Sequence, residues 1–448
     1  MDKGFFFDLN KCVGCHACVV ACEIENGREQ HQPWRAISTF NAFQHPDLPV
    51  FHYSLACNHC EDAPCAHNCP AVAFIREEGI QTIKHLADKC IGCKYCTWAC
   101  PYDAPKFIDT TGVVEKCTLC QHRLEENKKP ACANLCPTGA LDFREIEIKE
   151  QSRIAGFTEI GVTPRIEVME LRQKKGPEMA KDISKEEIKT YKSLSSKTAS
   201  KITLKREWVL VLFTLIVAFL NGYFVAGMFE YKEFSPWLFG GLGVLSLGLS
   251  SVHLGKKLKA WRAVLNIRNS WLSREILFYS LFLSTGMLWF FLPQTNYLGY
   301  AVILFGYAAA WSVDKVYLVL IPKTRIGWHS SSIFLSSLLV MSLFGVDHLI
   351  TAIILGIKFL LYTYRKIYFQ MHAYPINYWL SIPRIIFGFI VPVLLFPNYY
   401  EPTPLNFMIF IGIGELMDRI EFYLEADIIT PKKQIELDLL QKLENITS

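Results

Sequence analysis

The sequence predicts an α+β domain built around cysteine loops, followed by an all-α bundle of eight membrane-spanning helices. Two observations predict it. All sixteen cysteines of the 448 residues lie between Cys12 and Cys136. Almost every long apolar run lies after residue 206, although the chain as a whole is 51% hydrophobic with a net charge of only +4. The expected parts are a cysteine-rich domain at 1–145, a charged linker at 146–206, a membrane domain at 207–427 and a C-terminal tail at 428–448. No nucleic-acid partner is expected.

The cysteines fall into four groups of four. They are Cys12, Cys15, Cys18 and Cys22; Cys57, Cys60, Cys65 and Cys69; Cys90, Cys93, Cys96 and Cys100; and Cys117, Cys120, Cys132 and Cys136. The first and third groups have the full C-x2-C-x2-C-x3-C spacing of bacterial ferredoxins, and the last three end in Cys-Pro. Sixteen thiolates at four per cluster give four [4Fe–4S] clusters, so the domain is expected to be ferredoxin-like and to move electrons singly. Zinc ribbons use paired C-x2-C but rarely a third cysteine so close. A disulfide framework needs an oxidising compartment, and Met1–Asp8 lacks an apolar stretch long enough for a signal peptide.

In two-cluster ferredoxins the fourth cysteine of a group binds the other cluster. Groups two and three are therefore expected to exchange fourth cysteines, pairing Cys57, Cys60 and Cys65 with Cys100, and Cys90, Cys93 and Cys96 with Cys69. Groups one and four are expected to pair Cys12, Cys15 and Cys18 with Cys136, and Cys117, Cys120 and Cys132 with Cys22. Two 2[4Fe–4S] units are then interleaved along the chain. Gly14 and Gly92 suit loops whose N–H groups approach cluster sulfurs. Pro70, Pro101 and Pro137 end each helix just past a ligand; Cys22 is followed by Glu23 instead. Lys89, Lys94 and Lys116 either offset cluster charge or are solvated; His16, His59, His67 and His122 read as packing or surface residues, tuning of cluster potential by hydrogen bonds being the alternative; and Trp98 fills apolar space.

Eight spans are expected near 208–229, 236–255, 275–292, 297–321, 329–346, 348–364, 379–397 and 404–424. Stretches such as Trp208–Phe219 and Ile385–Phe396 are apolar on every face, as lipid-facing helices of about 20 residues are. Between the halves, the Lys-, Glu- and Ser-rich segment cannot bury much and reads as a linker. On the side of residue 206 the flanks and loops carry fourteen basic residues, including Lys256, Lys257, Lys259, Arg262, Arg268 and Arg274; the other side carries Lys232 alone. The positive-inside rule puts the cysteine domain on the cytoplasmic side of a bacterial inner membrane, with the periplasmic side as the alternative.

The segment His253–Glu275 joins the second and third spans. Its middle, Leu258–Leu265, has the pattern of an interfacial amphipathic helix. His253 and Glu275 are the expected proton acceptors for a membrane quinol, menaquinol or ubiquinol, and Trp271 with Arg274 the expected walls of its pocket. Asp314, Lys358, Arg384, Glu415, Asp418 and Arg419 lie within spans and are expected to pair between helices, Glu415 being the best second proton site. His253, His329, His348 and His372 sit near span ends, so no haem is expected.

These motifs carry a family resemblance. KCVGCHACVVAC, CNHCEDAPCAHNCP, KCIGCKYCTWACPYDAPKF and KCTLCQHRLEENKKPACANLCPTGAL resemble the iron–sulfur subunit of the dimethyl sulfoxide reductase family. HLGKKLKAWRAVLNIRNSWLSREIL and GELMDRIEFYLEA resemble that family's membrane anchor. The chain thus looks like a fusion of two subunits that are usually separate. The resemblance implies a molybdopterin-containing catalytic partner, eight helices without haem, and quinol oxidation near His253. It also implies an order of clusters from Cys12, Cys15, Cys18 and Cys136 at the catalytic partner, through those of Cys22 and Cys69, to that of Cys57 at the membrane; Cys93, not always cysteine in relatives, predicts four irons. Relatives face the periplasm, against the loop charge here. Reverse flow from a formate- or hydrogen-oxidising partner is the second reading. A transporter would need paired discontinuous helices, and only one span holds candidate breaks, Pro383 and Pro392.

Overall fold

The computed structural model describes residues 3–27, 32–42, 44, 48–77, 79, 81–148, 162–172, 202–229, 235–292, 296–318, 329–344, 348–371, 376–395, 405–426 and 430–447. His372, Lys197, Lys201, Lys232, Lys323 and Arg325, and most of the expected linker, lie outside these. The chain divides into two units, one of Met1–Ser200 with Ile429–Ser448 and one of Lys201–Ile428.

The first unit is built on β1 (Lys3–Asp8), whose Gly4 to Asp8 are all buried. A strand apolar on both faces belongs inside a sheet. Helix α1 (Ala17–Glu25) follows the first cysteine loop, and strands β2 (Ala36–Phe40) and β3 (Phe51–Leu55) then form a two-stranded sheet. Two copies of one pattern come next. Helix α2 (Pro64–His67) leads into the hairpin of β4 (Phe74–Arg76) and β5 (Ile83–His85). Helix α3 (Tyr95–Ala99) leads into that of β6 (Lys106–Ile108) and β7 (Val113–Glu115). Helices α2 and α3 pack together. Helices α4 (Gln121–Glu125) and α5 (Ala131–Asn134) hold the fourth group, and α5 packs on α1. Strand β8 (Leu141–Glu145) pairs antiparallel with β1, from Lys3 opposite Glu145 to Phe7 opposite Leu141.

The segment expected to be linker is not all linker. Within it, β9 (Ile166–Met169) pairs parallel with the other edge of β1, Phe5 opposite Ile166. Ile166 and Val168 supply the alternation that a strand needs, and the strand satisfies backbone groups that β1 would otherwise leave open.

In the second unit α6 (Leu204–Met228) has 25 residues, about 37 Å at 1.5 Å per residue, enough to cross a hydrocarbon core. Helix α7 (Pro236–Val252) starts with Ser235 accepting from the Leu238 N–H and Pro236 in its first turn. It turns by 104° into a 3-10 helix, Lys257–Val264. The expected amphipathic α-helix is thus the tighter 3-10 form, as suits a short stretch following a Gly-Lys-Lys break. Helices α8 (Trp271–Phe291), α9 (Asn296–Tyr317), α10 (Ile333–Leu343) and α11 (His348–Met371) follow. Helix α12 (Tyr378–Leu395) contains Pro383 and widens to a π-turn at Ile386–Ile390; the ring removes one N–H donor and clashes with the preceding turn. Helix α13 (Leu405–Glu425) completes the unit, and α14 (Pro431–Thr447) occupies what was expected to be a tail.

Among the described residues two helices are long and apolar enough to cross a membrane, α6 and α12, or three if the bent pair after Ser235 counts as one span. Helix α11 shows the polarity of the unit. Leu349, Ile353, Ile357, Leu360 and Ile367 point outward, while Lys358, Tyr362 and Arg365 are buried. Charge inside and hydrocarbon outside is the arrangement lipid selects.

Candidate functional site

The sixteen thiols are free of disulfides. One cavity is lined by Cys57, Cys60, Cys65 and Cys100, together with His59, Tyr102 and Lys116. A second is lined by Cys69, Cys90, Cys93 and Cys96, with Gly92 and Phe74. The electrostatic neighbours of Cys12 include Cys18, Cys136 and Cys15, and those of Cys22 include Cys132 and Cys120. Among the described residues no three His, Cys, Asp or Glu side chains are grouped to hold one metal ion. A cubane keeps its thiolates farther apart than one ion does, because each binds a different iron.

The loops that aim these thiols repeat one backbone feature. The residue before the second cysteine of every group is left-handed: Gly14 (φ 68°), His59 (φ 44°), Gly92 (φ 68°) and Leu119 (φ 61°). Glycine adopts this freely; His59 and Leu119 must be held there by their surroundings. The turn points N–H groups inward. Gly92 N–H donates to Cys90 Sγ at 3.4 Å and Leu119 N–H to Cys117 Sγ at 3.3 Å. Past the loops, Ala73 N–H reaches Cys69 Sγ and Leu141 N–H reaches Cys136 Sγ, both at 3.3 Å. Such donors stabilise sulfur that carries negative charge.

Two buried cations do the same. Lys116 is 3% exposed. Its Nζ lies 3.5 Å from Cys57 Sγ and donates to the carbonyls of Cys117, at 3.1 Å, and Ile83. It is therefore not a solvated charge. Burial lowers its affinity for a proton, but Cys57, Cys65 and Cys117 together raise it above the ordinary lysine value. Arg35, 2% exposed, is flanked by Cys132, Cys18, Cys117 and Cys22 and donates to Ser54 Oγ at 3.1 Å. Nothing near Arg35 in the sequence announces this, since β2 and β3 bring it in. His59 is buried and neutral: burial, then Lys116, hold its pKa well below the ordinary value, and its Nδ1 accepts from Ile83 N–H at 3.1 Å. His16, His67 and His122 are exposed, and Trp98 is buried edge-on against Tyr95.

Burial pushes several of the thiols up, Cys22 to about 12, and those of Cys60, Cys96 and Cys117 well above the ordinary value, while hydrogen bonds from Leu141 N–H and Thr138 hold Cys136 below it. Thiols raised in this way carry charge only when a metal replaces the proton. Buried quartets, inward N–H donors and compensating cations fit a [4Fe–4S] cluster. The first group differs in exposure. Cys15 is exposed, and Val13, Val20, Ile24 and Leu135 around that group are 50–65% exposed.

In the second unit, half-buried His253 caps the end of α7, and Glu275 is buried in the second turn of α8. Arg274 lies over the Trp271 ring at 4.2 Å and donates to the carbonyls of Ile267 and Arg268 at 2.9 and 2.8 Å, fastening the connecting loop. The electrostatic neighbours of Glu275 include the phenols Tyr317 and Tyr423, whose hydroxyls are 2.5 Å apart. These tyrosines were not legible as site residues.

Of the charges expected to pair between helices, Lys358, Arg384, Glu415 and Asp418 do so and are buried; among the described residues Asp314 and Arg419 make no ion pair. Lys358 meets Glu415 at 3.0 Å, and Arg384 meets Glu415 at 3.4 Å and Asp418 at 3.2 Å. Arg365 meets Asp418 at 3.0 Å, Glu421 at 3.3 Å and Glu425 at 3.2 Å. Ser330 and Ser331 donate to Asp418, and Ser336 to Glu415. Asp314 accepts from Ser332 and from the N–H groups of Ile333 and Phe334, so it caps α10 across helices.

Comparison with known proteins gives two family matches. Residues 49–146 match the 4Fe-4S dicluster domain, and residues 204–369 match the DMSO reductase anchor subunit. Over 153 residues the sequence is 39% identical to one chain of the anaerobic dimethyl sulfoxide reductase of Escherichia coli, a match covering 32% of this protein and 74% of that one. It is 35% identical over 162 residues to a sulfite dehydrogenase subunit of Allochromatium vinosum, covering 31% and 67%. To a tetrathionate reductase subunit of Salmonella typhimurium it is 39% identical over 151 residues, covering 33% and 59%.

Proposed function

Because the protein belongs to the dimethyl sulfoxide reductase family and joins its iron–sulfur subunit to its membrane anchor, we propose that it oxidises membrane quinol and passes single electrons to a separate molybdopterin-containing subunit. It is an integral membrane protein with an iron–sulfur domain. The observation that carries the reading is the pair of cavities, each ringed by three thiols of one group and the fourth of its partner group.

By the same exchange, Cys12, Cys15 and Cys18 act with Cys136, and Cys117, Cys120 and Cys132 with Cys22. Bound there, four [4Fe–4S] clusters supply carriers that each accept and release one electron. Quinol carries two electrons and two protons, so the protein must divide the pair and remove both protons. His253 and Glu275 take the protons, while Trp271 and the fastened Arg274 wall the pocket. The exposed apolar rim around Cys15 is the docking face for the catalytic subunit; such a patch on an otherwise polar surface marks an interface. The membrane domain is read as eight helices without haem, with the basic loops and the iron–sulfur domain on the cytoplasmic side.

The test is reduction of the clusters by a quinol analogue in the purified protein, followed by electron paramagnetic resonance. His253→Ala and Glu275→Gln are each expected to slow reduction at least about tenfold with dithionite-reducible clusters intact. Unchanged rates in both remove these residues from the site. The likeness to a sulfite dehydrogenase subunit favours one second reading, reverse flow from a substrate-oxidising partner into the quinone pool. Cluster potentials above that of the pool support the first reading; potentials below it support the second.

A further inference from the structure

Arg419, on α13, is 2% exposed, and among the described residues its Nε and Nη1 have no hydrogen-bond partner. Its neighbours on that helix are committed elsewhere, Glu415 to Lys358 and Arg384, and Asp418 to Arg365 and Arg384. His329, 6% exposed, also lacks a partner at both ring nitrogens among the described residues. Its ring stacks on Phe422, with centroids 4.7 Å apart and planes at 14°. Phe422 follows Arg419 by three residues and so shares its helix face. The electrostatic neighbours of Arg419 include His329, Asp314, Tyr317 and Tyr423. The same two tyrosines neighbour Glu275.

A buried polar group left unbonded costs about 1–3 kcal/mol, and more when charged. Two such groups in one neighbourhood, in a unit where Lys358, Arg365, Arg384, Glu415 and Asp418 are paired with one another, imply a partner that binds there. Guanidinium N–H groups only donate, so the partner must present an acceptor; an imidazole nitrogen can accept in return. The surroundings narrow its chemistry. Asp314, an electrostatic neighbour of Arg419, already supplies a carboxylate to this region, so a neutral acceptor fits better than a second anion. The rings of Phe422, Tyr317 and Tyr423 stand edge-on to one another at 5.7–5.9 Å and suit a flat aromatic molecule.

We propose that His329 and Arg419 bind a ring oxygen of the quinol, Arg419 donating to it and His329 accepting its O–H. This rests on the quinol-oxidising reading and adds to it two residues outside the His253–Glu275 segment. The role is binding and orientation, and no bond is made or broken at either residue. A hydroquinone meets each requirement: it is neutral, flat, lipid-soluble, and carries an oxygen that both donates and accepts.

The experiment uses the full chain, purified in detergent, and the fluorescent quinol analogue 2-heptyl-4-hydroxyquinoline N-oxide as probe. Its quenching on binding gives a dissociation constant. Arg419→Gln and His329→Phe, the latter keeping a ring on Phe422, are each expected to weaken binding about tenfold or more while iron content stays at the wild-type value. Affinity equal to wild type in both variants overturns the inference and leaves the quinol reading standing; that is the result if these residues hold only ordered water. A wild-type protein that binds no probe overturns the quinol reading itself. Photo-crosslinking with an azidoquinone needs no variant: labelled peptides containing His329 or Arg419 are expected, and labelling confined to other helices overturns the inference.

Discussion

Lys116 carries a charge to the edge of two cysteine quartets, and its effect on them is a matter of sign. Reduction makes a cluster more negative, and a nearby ammonium stabilises the reduced form. A hydrogen bond to a charged partner is worth about 1.5 kcal/mol, which for one electron is about 60 mV. Lys116→Met is therefore expected to lower the midpoint potential of the cluster held by Cys57, Cys60, Cys65 and Cys100 by about that much, read by potentiometric titration of its paramagnetic signal. A second prediction concerns Gly14. At φ 68° an added Cβ would meet the His52 ring at 2.7 Å, so Gly14→Ala should lower iron content by about one cluster in four, as measured by metal analysis. The sequence displayed the cysteines, Gly14 and Gly92 because loop chemistry is local. It left Lys116 ambiguous and Arg35 silent, because burial beside a thiol depends on which strands the chain folds against.

Among the elements, α12 and α13 meet at their glycines. A Cβ on Gly414 would lie 2.4 Å from the Gly388 Cα, and one on Gly388 would strike the Arg384 guanidinium. The π-turn after Pro383 and this close approach together let Arg384 reach both Glu415 and Asp418. Gly414→Ala should force the helices apart and cost about 1–3 kcal/mol, as overpacking does, seen as a lower thermal midpoint in detergent. Asp418→Ala should cost more, about 3–5 kcal/mol, because it leaves Arg365 and Arg384 short of a buried counter-charge. A midpoint shift for Asp418→Ala smaller than that for Gly414→Ala would contradict the assignment of Asp418 as the centre of the network. Periodicity and hydropathy located these helices, and Pro383 marked the irregular one. Which charges pair was illegible, since pairs such as Lys358 with Glu415 are 57 residues apart.

For the molecule as a whole, the first unit is organised around thiols and the second around buried charge inside an apolar exterior. The exposed rim of Val13, Val20, Ile24 and Leu135 is the surface the proposed catalytic subunit would cover. Val13→Glu combined with Leu135→Glu should weaken co-purification of that subunit about tenfold or more while iron content stays unchanged; undiminished co-purification would place the docking face elsewhere. Sidedness follows from the same scale of argument. With the basic loops inside, protease added to sealed right-side-out vesicles should leave the iron–sulfur domain intact, and cleavage from outside would reverse the orientation.

The sequence alone determined the two-part plan, the iron–sulfur chemistry and the membrane character, because cysteine spacing and hydropathy act over a few residues to a few turns. Only the tertiary structure decided that β9 completes the sheet on β1, that Arg35 and Lys116 stand among the thiols, and that His329 and Arg419 share a neighbourhood with unmet hydrogen bonds. Those outcomes depend on burial, and burial is fixed by contacts between segments far apart along the chain.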